Sequence, residues 1–368
     1  MNRMKLGEIL SVKHGWAFKG EYFAEDGEQS ILTPGNFFEK GGFKPNNGKE
    51  RYYTGVYPKE YLCHKGDLIV AMTQQAEGLL GSTALVPEND KYLHNQRIGL
   101  ITCDEKRLNK LFAYYLFMTK SVREQLERSS SGTKVKHTSP EKIYDVEVEI
   151  PDVISQQKIA NLLWSVDEKI ANNKAINDNL TAMAYDIYMH SFFSKKPNAK
   201  LKDILVEADK SSVQVGEAKQ STGEYPFFTS GSAILKWDTP FIDGRNFFLN
   251  TGGNADVKFY VGEAAYSTDT WCISANNMSD YLYLLLVSIK PELNQKFFQG
   301  TGLKHLQKPL LKDRPIYIPD FEELKTFNEQ VTPMFNIISE NTRENQELIT
   351  LRDWLLPMLM NGQATISD

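Results

Sequence analysis

No apolar run in this 368-residue sequence is long enough to cross a bilayer. YLYLLLV at residues 281–287 falls far short of the roughly 20 residues that a spanning helix needs. The opening MNRMKLGEIL lacks the apolar core of a secretion signal. Cysteine is scarce: Cys63, Cys103 and Cys272 are widely spaced, odd in number and form no CxxC pair. They read as reduced thiols of a cytoplasmic protein. A basic excess is also missing. Residues 1–150 carry 21 Lys+Arg against 20 Asp+Glu, residues 151–197 carry 5 against 5, residues 198–318 carry 13 against 13, and residues 319–368 carry 3 against 9. A free-standing duplex binder shows a basic excess, because phosphate neutralisation drives non-specific affinity. If this chain reads DNA, another component must supply part of the attraction.

Chemistry-bearing motifs are missing as well. There is no Asn/Asp-Pro-Pro-aromatic motif to hold a target amine for methylation, and no GxxxxGK[ST]. NTGGN at 250–254 is followed by no helix pattern that would make it a cofactor loop. PDFEELK at 319–325 mimics a PD…ExK nuclease signature, but Asp320 and Glu323 open a helix, with Glu323 one turn from an Asp320 cap. His14, His64, His94, His137, His190 and His305 show no paired ligand spacing. No catalytic group, metal or cofactor is expected on this chain.

What the sequence does contain is a repeat. GTKVKHTSPEKIYDVEVEIPD at residues 132–152 returns 168 positions later as GTGLKHLQKPLLKDRPIYIPD at 300–320. KLGEIL at 5–10 returns as KLKDIL at 200–205, and aromatic-rich helical runs at 111–126 and 280–295 precede the two phrases. Between these shared ends little matches: AMTQQAEGLLGSTALV has no twin near LNTGGNADVKFYVGEAAYSTDTW. The length fits two domains, and the duplication gives them one frame with different contents.

Each repeat is followed by a helical stretch of about 40 residues, at 153–193 and 321–362. Pro333, with Thr332 as its cap, predicts a restart in the second, and Ser165-x-x-Glu168 has the form of a capping box at the matching point of the first. That leaves a longer helix of about 28 residues, roughly 42 Å, in each. Alternating steps of four and three give Val166, Ile170, Asn173, Asn177, Leu180, Ala184, Ile187 and Ser191 in one, and Met334, Ile338, Asn341, Asn345, Leu348, Arg352, Leu355 and Leu359 in the other. This is a 3.5-residue seam carrying two register-setting asparagines at the same places in each copy, Asn173 and Asn177, Asn341 and Asn345. An antiparallel coiled coil about a pseudo-two-fold axis would bring the asparagines face to face. Two amphipathic helices, each buried against its own domain, are the other possibility.

This layout resembles the specificity (S) subunits of type I restriction-modification systems over the whole chain. The resemblance rests on KLGEIL/KLKDIL, KGDLIVA at 65–71, the paired GT…IPD phrases, QQKIANLLWSVDEKI at 156–170 and LRDWLLPMLMNG at 351–362. It implies an α+β fold. Residues 1–150 would be a first target recognition domain and residues 151–195 a helical spacer; residues 196–318 and 319–368 would be the second domain and spacer. It also implies a non-catalytic reader of a bipartite duplex DNA target that docks two methyltransferase (M) subunits, with translocase-nuclease (R) subunits joining the larger assembly.

Base edges are read by Lys or Arg at guanine and Asn or Gln at adenine. The candidates are Gln74, Gln75 and Arg97 in the first half, and Asn250, Thr251, Asn254 and Lys258 in the second. Lys134, Lys136 and His137, with Lys304 and His305, recur in the frame and suit phosphate positioning. Each also fits an ordinary solvated loop side chain. GWAF at 15–18 and YPFF at 225–228 read as domain core rather than base-stacking platforms. The competing readings are a scaffold or adaptor whose domains bind proteins while the helices dimerise, and an enzyme with an unrecognised site.

Overall fold

The repeated hexapeptides form the same clasp in each half. The computed structural model describes residues 1–46, 48–74, 76, 78–132 and 135–366. They fall into two units, Met1–Glu168 with Ile349–Asp368, and Lys169–Leu348. In the first unit Asn2–Lys5 pairs antiparallel with Glu147–Ile150, Lys5 opposite Glu147. In the second Ala199–Lys200 pairs with Pro315–Ile316, Lys200 opposite Pro315, one repeat further on. The next residues make a single 3₁₀ turn, closed by Lys5 N–H to Glu8 Oε1 at 2.8 Å and by Lys200 N–H to Asp203 Oδ2 at 2.7 Å. Leu6 and Leu201 are buried beneath it, donating to the Val146 and Arg314 carbonyls, both at 2.9 Å. Lys5 reaches Asp145 at 2.9 Å and Lys200 reaches Asp313 at 3.2 Å. Glu147 and Pro315, Val146 and Arg314, and Asp145 and Asp313 each differ by the 168-residue offset.

The dissimilar inserts share a topology. In the first unit a four-stranded antiparallel sheet runs Leu10–His14, Ile98–Cys103, Leu68–Ala71, Thr83–Leu85 in spatial order. In the second the order is Val206–Glu207, Thr270–Ser274, Arg245–Asn250, Val257–Val261, the same sequence of chain connections. A second sheet in each ends in a parallel pair, Ser30–Ile31 with Tyr92–Leu93 and Tyr225–Phe228 with Ala265–Tyr266. Buried runs explain how unlike sequences reach one topology: Leu68–Ala71 is buried throughout and Arg245–Asn250 at all but its first residue, and many β-branched or aromatic residues fill such positions. Phe227 and Phe228 of YPFF are core, with Phe228 stacked on Phe248 at 4.1 Å. Trp16 and Phe18 of GWAF pack edge-on against Tyr53.

The long helices, Val153–Phe192 and Phe321–Met360, are each 40 residues without interruption, roughly 60 Å. The expected corners at Ser165 and Pro333 are absent. Ser165 Oγ donates back to the Leu162 carbonyl at 2.7 Å instead of capping a new helix. Pro333 lies on the exposed face, so the carbonyl it leaves without an N–H faces solvent rather than core. Both helices open on the repeated aspartate: Asp152 accepts from Ser155 N–H at 3.0 Å and Asp320 from Glu323 N–H at 2.9 Å.

Each unit contains a stretch of both helices. In the first, Ile159, Ala160 and Leu163 share a core with Leu359 and Met360, and Arg352 pairs with Asp167 at 2.8 Å. In the second, Asn173 donates to Asn345 Oδ1 at 3.0 Å and Asn341 to Asn177 Oδ1 at 2.8 Å. Asn177 donates to the Ile338 carbonyl at 3.2 Å and Asn345 to the Ile170 carbonyl at 3.4 Å. Moving the first-helix residue of one bond forward by 168 positions and its second-helix partner back by 168 produces the other bond of each pair. None of the sixteen seam residues is exposed. Among the described residues, no helix is long and apolar enough to cross a membrane.

Candidate nucleic-acid interface

The Lys-His end of each repeated phrase zips onto the end of the sheet strand that carries the base-reading candidates. In the first unit Gln74 N–H donates to the Lys136 carbonyl and Thr138 N–H to the Met72 carbonyl, both at 2.9 Å. In the second Gly253 N–H donates to the Lys304 carbonyl at 2.8 Å and Leu306 N–H to the Thr251 carbonyl at 2.9 Å. The turn behind the zip requires glycine. Gly132 and Gly300 have φ of +100° and +152°, and a Cβ would lie 2.1 Å from the Val135 carbonyl oxygen and 2.6 Å from that of Leu303. A third loop joins each cluster: Met72 N–H donates to the Arg97 carbonyl and Thr251 N–H to the Asp269 carbonyl, both at 3.0 Å.

Gln74, Lys136, His137 and Arg97 are therefore neighbours in one unit, and Thr251, Asn254, Lys304 and His305 in the other. Arg97, His137, Asn254, Lys304 and His305 are exposed, while Gln74, Lys136 and Thr251 are half-buried. His137 Nδ1 lies 3.1 Å from Thr73 Oγ1, and Lys136 is paired with Glu127. Gln75 and Lys134 lie outside the described residues.

Two candidates are corrected. Asn250 is buried, its amide donating to the Gly252 and Asn254 carbonyls and accepting from Asp256 N–H at 2.7 Å. It builds the loop and has no free edge for a base. Lys258 donates to the carbonyls of Thr229 and Gly231. Burial pulls its pKa down against the opposing charge of Asp256, so the ammonium staples that loop and does not reach out of it.

Sequence reasoning missed a positioning residue. Arg123 donates to the carbonyls of Phe117 at 2.6 Å, Gly78 at 2.9 Å, Leu80 at 2.8 Å and Glu39 at 3.3 Å. Burial lowers its pKa to about 10. It ties the loop following Gln74 to the Lys120–Ser129 helix, and nothing in its helical sequence context distinguishes it from a solvated arginine. A cleft of about 550 Å³ in the same unit, lined by Lys49, Arg51, Asn95, Gln96 and Arg97, was also not anticipated, because its residues are far apart in sequence.

The nuclease-like PDFEELK carries a capping box. Glu323 accepts from Asp320 N–H at 3.1 Å, from Tyr317 Oη at 2.6 Å and from Lys195 Nζ at 2.9 Å. The Tyr317 hydroxyl first, then Lys195 and the Asp320 amide, hold its pKa down at about 2, below the ordinary value of about 4.3. Because the folded value is the lower one, this knot stabilises fully above the unfolded pKa and is lost as pH falls through about 4 towards 2. Thermal melts from pH 5 to 2 should show a shallower acid loss for Glu323→Gln than for the parent. Parallel curves would mean that the carboxylate titrates alike in both states.

Two copies of one strand-rich frame, each presenting a loop cluster and built onto 40-residue helices, define a duplicated recognition protein. The family model for the type I restriction modification DNA specificity domain matches residues 1–182 and 195–350, and the chain belongs to that family. The specificity subunit of type I restriction enzyme MjaIX from Methanocaldococcus jannaschii is 23% identical over 303 residues, 70% of this chain and 69% of that one. The MjaVIII specificity subunit of the same organism is 23% identical over 168 residues, 45% of this chain and 39% of that one. In structure the chain is similar to the type I restriction-modification S subunit from M. genitalium, with a TM-score of 0.65 at 16% identity, covering 100% of this chain and 96% of that one. It is a non-catalytic specificity subunit, and its task is DNA sequence recognition.

Proposed function

We propose that the chain reads a bipartite duplex target, one half-site per loop cluster, and delivers it to methyltransferase subunits. The observation that carries this is the duplicated zip: Gln74 on Lys136 and Gly253 on Lys304 place unlike side chains in one backbone frame. Equal frames present two readers in equivalent orientation, and unlike contents give them different half-sites. In this reading residues 1–150 and 196–318 are the recognition domains, and residues 151–195 and 319–368 are spacers. The crossed asparagine bonds support an antiparallel coiled coil about a pseudo-two-fold axis, with the asparagines fixing its register. Two M subunits dock on this scaffold and R subunits join the larger assembly. The near balance of charge in each half fits a reader whose partners share the phosphate contacts. Lys304, His305, Lys136 and His137 are the positioning contacts of that surface, and Gln74, Arg97, Thr251 and Asn254 face the bases.

The test is a map of modified adenines in DNA from cells expressing this chain with its M subunit. Modification confined to two short half-sites separated by uninformative bases is the expected result, with no methyl transfer or cleavage by the purified chain alone. Modification independent of this chain, or methyl transfer from S-adenosylmethionine by the chain alone, would overturn the proposal.

A further inference from the structure

The chain has ten arginines, and eight donate to the protein itself. Arg3, Arg245, Arg314 and Arg352 reach carboxylates. Arg107, Arg123, Arg128 and Arg343 reach backbone carbonyls. Among the described residues, the side chains of Arg51 and Arg97 alone have no such partner, and both line the same cleft of about 550 Å³ in the first unit. Lys49 adds a third cation, Asn95 and Gln96 add amides, and no described aspartate or glutamate lines the cleft. In a chain with a formal charge of −5, two guanidinium forks and an ammonium gathered without a carboxylate make a receptor for an acceptor-rich ligand.

The second unit distinguishes a base from a phosphate. Arg97 and Asp269 occupy the same turn, each accepting through its carbonyl from the strand end beside it, Met72 N–H and Thr251 N–H, at 3.0 Å. Each directly precedes a strand of equal rank in its sheet, Ile98–Cys103 and Thr270–Ser274. Both side chains are exposed. A phosphate contact common to both halves needs a donor in each, because the DNA backbone is the same at both half-sites. A position that changes from arginine to aspartate cannot serve that purpose twice. Base edges do vary in this sense: guanine offers O6 and N7 as paired acceptors to arginine, and cytosine offers the N4 amino group to a carboxylate.

We infer that this turn is a base-reading position. Arg97, supported by Arg51 across the cleft, reads guanine in the first half-site, and Asp269 accepts from the cytosine amino group in the second. The inference rests on the bipartite reading above and assigns the turn's chemistry in each half.

The experiment is methylome mapping, with methylation rates on duplex variants, for the complex of this chain with its M subunit carrying Arg51→Ala, Arg97→Ala, Arg97→Lys or Asp269→Ala. The arginine variants should relax a guanine position of the first half-site by roughly 5- to 150-fold in discrimination, and Asp269→Ala a cytosine position of the second by a similar factor. Arg97→Lys should relax it too, because an ammonium keeps the charge and loses the fork. In each case the other half-site should be read as before, which shows that the variant is folded. Unchanged discrimination would overturn the inference. So would a uniform loss over all sequences with a salt dependence shallower by about one ion, the behaviour of a phosphate contact. A parent complex that modifies no bipartite site defeats the underlying reading before any variant is made.

Discussion

Arg245→Ala should cost the second unit about 3–5 kcal/mol, as much as truncating a core aromatic. Asp280 is 3% exposed at its side chain. Arg245 holds it by a two-pronged bond, Nε to Oδ1 at 2.7 Å and Nη2 to Oδ2 at 2.8 Å. Truncation leaves a buried carboxylate with the Thr332 hydroxyl, at 2.8 Å, as its remaining side-chain donor. The same guanidinium reaches Asn336 Oδ1 at 2.7 Å and lies over the Phe259 ring, so the alanine also removes one of the ties between the second long helix and the sheet. Arg245→Lys should recover only part, since an ammonium cannot span both carboxylate oxygens. Pairing Arg245→Met with Asp280→Leu should restore most of the loss by removing both charges together. Urea denaturation followed by tryptophan fluorescence measures all three variants. A loss under 1 kcal/mol for Arg245→Ala would mean that solvent reaches Asp280 and the pair behaves as a surface bridge.

Deleting one heptad from each long helix, residues 173–179 and 341–347, should change the gap between half-sites and leave their bases unchanged. Seven residues at 1.5 Å shorten each helix by about 10 Å, some three base pairs at about 3.4 Å rise. The 3.5-residue seam stays in phase across the cut. Three base pairs also turn the duplex by roughly 100° at 10–10.5 base pairs per turn, so binding fails unless the assembly absorbs that rotation. Circular dichroism of the deleted protein should retain its helix content. Methylome mapping then reads the outcome: the same half-sites at a shorter preferred gap, or no modification. Altered half-site bases at an unchanged gap would show that the helices do not set the spacing.

The repeat in the sequence anticipated the frame residue by residue, because the clasp uses side chains whose chemistry is specific. Lys5 and Lys200 need an aspartate at the matching place, and the buried positions of Leu6 and Leu201 need an apolar side chain. The inserts concealed their common topology because strand order is held by buried apolar runs, which many sequences satisfy equally. The helix corners were misread because capping patterns are local. Whether Ser165 caps or bonds backwards, and whether Pro333 faces core or solvent, depends on what packs alongside. At the interface, residue type could not separate Asn250 from Asn254. Both sit in one glycine-rich turn, and only the fold of that turn buries the first and exposes the second. Arg51 and Arg97 meet across a cleft that no spacing rule would find.

The first unit is discontinuous in sequence, and this gives its assembly on the ribosome a direction. Ile159, Ala160 and Leu163 share their core with Leu359 and Met360, and the 180 residues from 169 to 348 belong to the other unit. At about 5–20 residues per second, roughly 10–35 s of synthesis separate the two sides of that core. Through that interval the first helix can pack against residues 6–150 but has no mate from the second. The second unit, uninterrupted in sequence, has all its residues available first. The half that is written first is thus the half that closes last, and a chain halted before residue 349 would release a finished second reader beside an unfinished first one.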